Sequence, residues 1–186
     1  QSFNEAGYAT AYVGKWHLAT DHAAGINYET SAIPQERRGG YRDYWMAADV
    51  LEFTSHGYNG YVYNADNERV PFMGYRADCI NNFAIDFLHG RKEQVEPFFL
   101  FISQIEPHHQ NDRRRYEGPD GSRAQFADFQ PPGDLAACSR ACAQGTDVSN
   151  WRENYPDYLG CCHSLDYNVG RLVDTLKEQG MWENTI

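Results

Sequence analysis

Residues 97–102, Pro-Phe-Phe-Leu-Phe-Ile, constrain the fold more than any other stretch of this chain. An apolar run without alternation suits a strand covered on both faces, as in a parallel sheet layered by helices. Just upstream, Ile80, Phe83, Ala84, Phe87 and Leu88 recur at i, i+3, i+4, i+7 and i+8, which predicts a helix over 76–89 with one buried face. Further on, Leu159, Cys162, Leu165, Val169, Leu172, Val173 and Leu176 mark the apolar stripe of a long helix opening at Pro156 and ending at Gly180. An earlier strand is expected from Tyr8 toward His17. A loop then runs to about Gly40, followed by a short amphipathic stretch through Trp45 and Leu51. Residues 58–63 and 70–72 read as a hairpin turning at Asp66-Asn67. Helix and strand alternate, so the expected class is α/β, with a mostly parallel central sheet flanked by helices.

The remaining segments are less periodic. Between Glu106 and Asn154 only a short helix near Leu135–Ala143 is expected, and a connection of that length is usually functional or mobile. Residues 1–7 resemble the last turns of a helix, and residues 180–186 break off where a strand would start. The chain is therefore read as a segment of a longer polypeptide, and the absence of a leader says nothing about export. At 186 residues and 41% hydrophobic content it has the length and composition of one globular domain. A net charge of −10 argues against a nucleic-acid partner. No apolar run reaches the roughly 20 residues of a membrane span. Cys138 and Cys142 are four apart, but no second Cys/His pair completes a zinc set.

In an open α/β sheet the ligand site lies beyond the carboxyl ends of the strands. The string from Gly7 to Leu18 ends its strand in Gly14-Lys15-Trp16-His17. Alternation puts Lys15 and His17 on one side and Trp16 on the other. A fixed cation beside an imidazole suits an anionic ester, a sulfate or a phosphate. His108 and His109 follow the end of the apolar strand in the same way.

The string from Gly7 resembles the sulfatase signature G-Y-x-T-x-x-x-G-K-W-H. Pro97 to His108 is similar to the family's P-F-F-L-x-x-x-x-x-x-P-H segment, and Leu165-Asp166, Val169-Gly170-Arg171-Leu172 and Trp182–Ile186 resemble later family stretches. The resemblance implies the alkaline-phosphatase-like α/β fold, with 1–186 forming one partial catalytic domain. It also implies hydrolysis of a sulfate ester by a hydrated formylglycine beside a calcium ion. On that template Lys15 bridges the nucleophile and a sulfate oxygen, His17 bonds the formylglycine hydroxyl, and His108 protonates the leaving group. His109, a neighbour of unfixed orientation, is a candidate for binding substrate. Arg113 and Arg114, with Arg115, either recognise a polyanion through bidentate contacts or form a solvated loop of mixed charge. His56, His89, His163 and Asp166 are read as structural or uninvolved.

The departures from the family pattern are as definite. No C/S-x-P/A-x-R motif is present; Cys138-Ser139-Arg140-Ala141-Cys142 and Ser139-Arg140-Ala141-Cys142-Ala143 both fail it. The family's acidic pair and its S/T-D-H/N-G ligands fall outside residues 1–186, so no metal ligand is expected in this segment. Calcium and formylglycine are expected from the parent protein, and the isolated segment is expected to be inactive. The implied substrate is a sulfated small molecule or glycan. Two alternatives stay open: a phosphodiesterase or phosphonate monoester hydrolase of the same superfamily, and a non-catalytic anion-binding relative.

Overall fold

A computed structural model of the chain describes residues 2–130, 133 and 151–186. The chain divides into two compact units, one of residues up to 105 with 167–186, the other of residues 106–166. The expected helix near Leu135–Ala143, Cys138 and Cys142 lie outside the described residues.

The first unit is built on a five-stranded sheet. Its strands are β1 (Ala9–Lys15), β2 (Tyr44–Ala48), β3 (Tyr58–Tyr63), β4 (Arg69–Tyr75) and β5 (Phe98–Ser103), in the spatial order β4-β3-β2-β1-β5. β1 pairs in parallel with β2 and with β5, while β2-β3 and β3-β4 are antiparallel. The sheet is thus mixed: three parallel strands extended by the expected hairpin. Helices α1 (Ser2–Glu5) and α2 (Leu51–Thr54) are single turns, and α3 (Arg76–Gly90) follows β4 directly.

Alternation along the strands sorts two cores. Val13, Ala48, Val62 and Phe72 pack with Ile80 and Ala84 of α3, and Ala11 packs with Phe87 and Leu88. On the other face Tyr12, Trp45 and Ala47 join Ala19 and Ile33 of the β1–β2 connection, with Trp16, Tyr28 and Tyr41 around them. That connection contains only two short 3-10 turns, His22–Ala24 and Gln35–Arg37, so aromatic side chains rather than a helix cover this face.

Several expectations are corrected. The stretch through Trp45 and Leu51 is not one amphipathic element; it divides into strand β2 and the turn α2. β5 is not covered on both sides. It stands at the end of the strand order, and Phe101 is 46% exposed. The long helix, α5 (Trp151–Glu178), starts a turn before Pro156. Its stripe is also shifted: Val169 is exposed, while Cys161, Ser164, Asn168, Thr175 and Leu176 are buried. Residues 182–184 form a 3-10 turn rather than the start of a strand.

The second unit contains the turn α4 (Ser122–Gln125) and the first half of α5. Gly160 lets them meet, because a Cβ there would lie 2.0 Å from Ser122 Oγ. Arg123 Nε donates to Asp157 Oδ2 at 2.8 Å, and Tyr116, Tyr158 and Tyr155 make successive ring contacts. No described helix of either unit is long and apolar enough to cross a membrane.

Candidate active site

Parallel pairing brings three strand ends level in the first unit. Lys15 stands opposite Ala48, and Gly14 opposite Ser103, so β1, β2 and β5 finish along one edge. This is the edge at which such sheets bind ligands. Lys15 is the last residue of β1, and its Nζ lies 2.7 Å from Glu52 Oε1 of α2. The pair is well sheltered, with side chains 14% and 8% exposed. Trp16 points to the opposite face, its ring edge-on to Tyr12 and Trp45. The Tyr12 hydroxyl donates to the Lys15 carbonyl, which fixes the strand end from beneath, and burial raises the Tyr12 pKa.

Alternation does not extend to His17. Its φ is +54°, the left-handed region, so the chain has already left the strand. Such a conformation costs a non-glycine residue roughly 1–2 kcal/mol and persists only where its surroundings hold it. Here the holding group is Asp49. The His17 N–H donates to the Asp49 carbonyl at 2.8 Å. The N–H groups of Leu18 and Ala19 donate to Asp49 Oδ1 at 3.1 and 3.0 Å, and that of Thr20 to Oδ2 at 2.9 Å. The His17 side chain is exposed at the edge.

His108, His109, Arg113 and Arg114 belong to the second unit. His108 is exposed, with Nδ1 against the His109 carbonyl. The His109 ring packs edge-on to Tyr116, and its Nδ1 lies 3.4 Å from Asn111 Oδ1. Residues 110–115 close a tight loop through the Gln110 N–H to the Arg115 carbonyl at 2.8 Å. Arg113 and Arg115 both reach Glu117 Oε1, at 2.7 and 3.2 Å, so the arginine run carries its own counter-charge. Arg114 sits at φ +49° with an exposed side chain.

Asp49 and Glu52 were not among the expected site residues. The available signal was two acids three apart, just after Ala47-Ala48. Without β2 recognised as a strand, nothing placed them at the sheet edge. Among the described residues no group of three His, Cys, Asp or Glu side chains is arranged to hold a metal ion. The edge carries one oriented ammonium, at Lys15, and one exposed imidazole on a held backbone, at His17, a combination suited to an anion.

Several known proteins have related chains. An ulvan-active sulfatase of Formosa agariphila is 30% identical over 99% of this chain and 32% of its own length. A crystal structure of the sulfatase-type protein yidJ from Bacteroides fragilis superposes with a TM-score of 0.74 at 25% identity, covering 99% of this chain and 40% of that one. A structure solved with its substrate D-glucosamine-2-N,6-O-disulfate superposes with a TM-score of 0.66 at 20% identity, over 98% of this chain and 47% of that one. The shared fold is the alkaline-phosphatase-like α/β architecture of these enzymes, present here in part. The chain spans about a third of the length of the relatives it matches. The family model for sulfatases matches residues 1–186 from end to end, and the chain belongs to the sulfatase family.

Proposed function

We propose that the polypeptide carrying this chain hydrolyses sulfate esters on a glycan, and that residues 1–186 supply the wall that holds the sulfate group. The observation that carries this is the Lys15 ammonium at the level ends of β1, β2 and β5, with His17 exposed two residues further on. Glycan as the substrate class is supported by the relative active on ulvan and by the structural neighbour bound to a disulfated glucosamine.

In this reading the Lys15 ammonium faces the sulfate oxygens, where negative charge accumulates as the ester bond breaks. One preorganised cation of this kind contributes about 100- to 1000-fold in rate. The His17 imidazole exchanges a proton with the attacking group at the same edge, and His108 donates one to the departing sugar oxygen. Arg113 and Arg114, in the loop after His108, meet further anionic groups of the substrate, with His109 orienting that loop. As in this family, a formylglycine would supply the nucleophile and calcium the metal charge, both from outside residues 1–186. Residues 1–186 alone are then expected to release no sulfate.

The test is sulfate release by the full-length protein from ulvan oligosaccharides and from 6-O-sulfated glucosamine, followed by ion chromatography. Lys15→Ala and His17→Ala should each lower kcat/KM by at least about 100-fold. His108→Ala should cost far more on a glycan ester than on a nitrophenyl sulfate, whose leaving group needs no proton. Faster turnover of phosphodiesters than of any sulfate ester would assign the chain to phosphate chemistry. Tight sulfate binding without turnover of any ester would make the protein an anion-binding relative.

A further inference from the structure

We propose that Asp49 and Glu52 form a positioning shelf that sets the geometry of both Lys15 and His17. The proposal rests on reading those two residues as catalytic. Asp49 is fully buried, and its two carboxylate oxygens accept three consecutive backbone N–H groups, from Leu18, Ala19 and Thr20. Its own carbonyl accepts the N–H of His17. A buried carboxylate is tolerated only when it is satisfied in this manner, and in return it fixes the turn that holds His17 at φ +54°. Three residues further on, Glu52 takes the Lys15 ammonium at 2.7 Å. One short segment, at the end of the neighbouring strand, therefore holds both groups.

Two consequences separate this arrangement from ordinary packing. A lysine side chain has many rotamers, and Glu52 removes much of that freedom before substrate arrives. One of the three ammonium protons is taken by Glu52, leaving two for an anion. The Glu52 charge also repels that anion. Glu52 thus favours orientation at the expense of affinity, and its neutralisation should move kcat and KM in the same direction, both downward. A residue that merely stabilises the fold would not produce that pattern.

The experiment uses the full-length protein with Glu52→Gln, Asp49→Asn, Lys15→Ala and the Glu52→Gln/Lys15→Ala pair. On whichever sulfate ester the native protein hydrolyses, Glu52→Gln should lower kcat about tenfold and lower the inhibition constant of inorganic sulfate. In the Lys15→Ala background the same change should cost less than about twofold, because its effect passes through Lys15. Independently of turnover, reductive methylation of Lys15, read by mass spectrometry, should quicken several-fold in Glu52→Gln. Amide hydrogen exchange at Leu18, Ala19 and Thr20 should quicken in Asp49→Asn, since an amide nitrogen cannot accept the Thr20 N–H. Additive losses in the double variant, or unchanged methylation and exchange, would overturn the shelf. Absence of turnover in the native protein would instead count against the sulfatase reading, while labelling and exchange still decide the roles of Asp49 and Glu52.

Discussion

Gly14 shows how tightly the edge is drawn at the level of one residue. Its φ is +108°, and a Cβ built on it would lie 2.0 Å from the Ser103 carbonyl oxygen. Ser103 is its register partner on β5, so the clash is with backbone that cannot swing aside. Gly14→Ala must either part β1 from β5 or rebuild the turn into Lys15. Backbone strain and overpacking together should cost about 2 kcal/mol or more. The expected result is a lower thermal midpoint for the full-length protein, with loss of activity beyond what instability explains. A midpoint within about 1 °C of the native value would refute the constraint. The strand end at Gly14-Lys15 was legible in the sequence, whereas the turn at His17 breaks the alternation that the sequence alone implied. Asp49 and Glu52 were not legible, because their role comes from register between strands, which one sequence does not display.

At the scale of elements, the β1–β2 connection owes its shape to Arg38, which is 2% exposed. Its Nε donates to the Ile33 carbonyl at 2.9 Å, Nη1 to the Ala65 carbonyl at 2.9 Å and Nη2 to Asn67 Oδ1 at 2.8 Å. The guanidinium also lies 5.1 Å over the Trp45 ring. It ties the loop to the β3–β4 turn, and burial lowers its pKa from the ordinary arginine value, against the nearby charges of Glu36 and Asp66. A lysine cannot reach three acceptors set out as a fork. Arg38→Lys should therefore destabilise about as much as Arg38→Met, by roughly 3 kcal/mol. Urea unfolding checks this, and a lysine variant close to native would show that charge, not geometry, matters. Elements were legible where periodicity was long: α3 falls where five apolar positions placed it. β2 was hidden because Tyr-Trp-Met-Ala-Ala is short and lacks β-branched residues. The face of α5 was misread because polar contacts select it, among them Asn168 Nδ2 donating to Asp78 Oδ1 at 2.7 Å. Hydrophobic periodicity does not register such contacts.

Across the whole molecule, an aromatic content of 15% has an electrostatic consequence. Burial raises the pKa of Tyr12, Tyr41, Tyr44 and Tyr63 in the first unit and of Tyr116 in the second. Tyr158 is raised first by its hydrogen bond with Cys162. Tyr44 is pushed up to about 12, by burial and then by Asp86, and its hydroxyl donates to the Phe83 carbonyl at 2.9 Å. The unfolded chain releases these protons near the ordinary tyrosine value of about 10. Below that pH both states keep them, and stability does not depend on these groups. Above it the unfolded state binds fewer protons than the folded state, so stability falls as pH rises. For Tyr44 the fall runs from about 10 to about 12. Growing net negative charge, from −10 at neutral pH, acts in the same direction on every variant and so cannot by itself identify the tyrosines. Tyr44→Phe separates the two. It should be less stable near pH 7 by about 1 kcal/mol, for the lost hydrogen bond. Because it has no proton to release, its stability should then fall less steeply than native above pH 10. Parallel native and Tyr44→Phe curves of unfolding midpoint against pH would assign the alkaline loss to net charge alone.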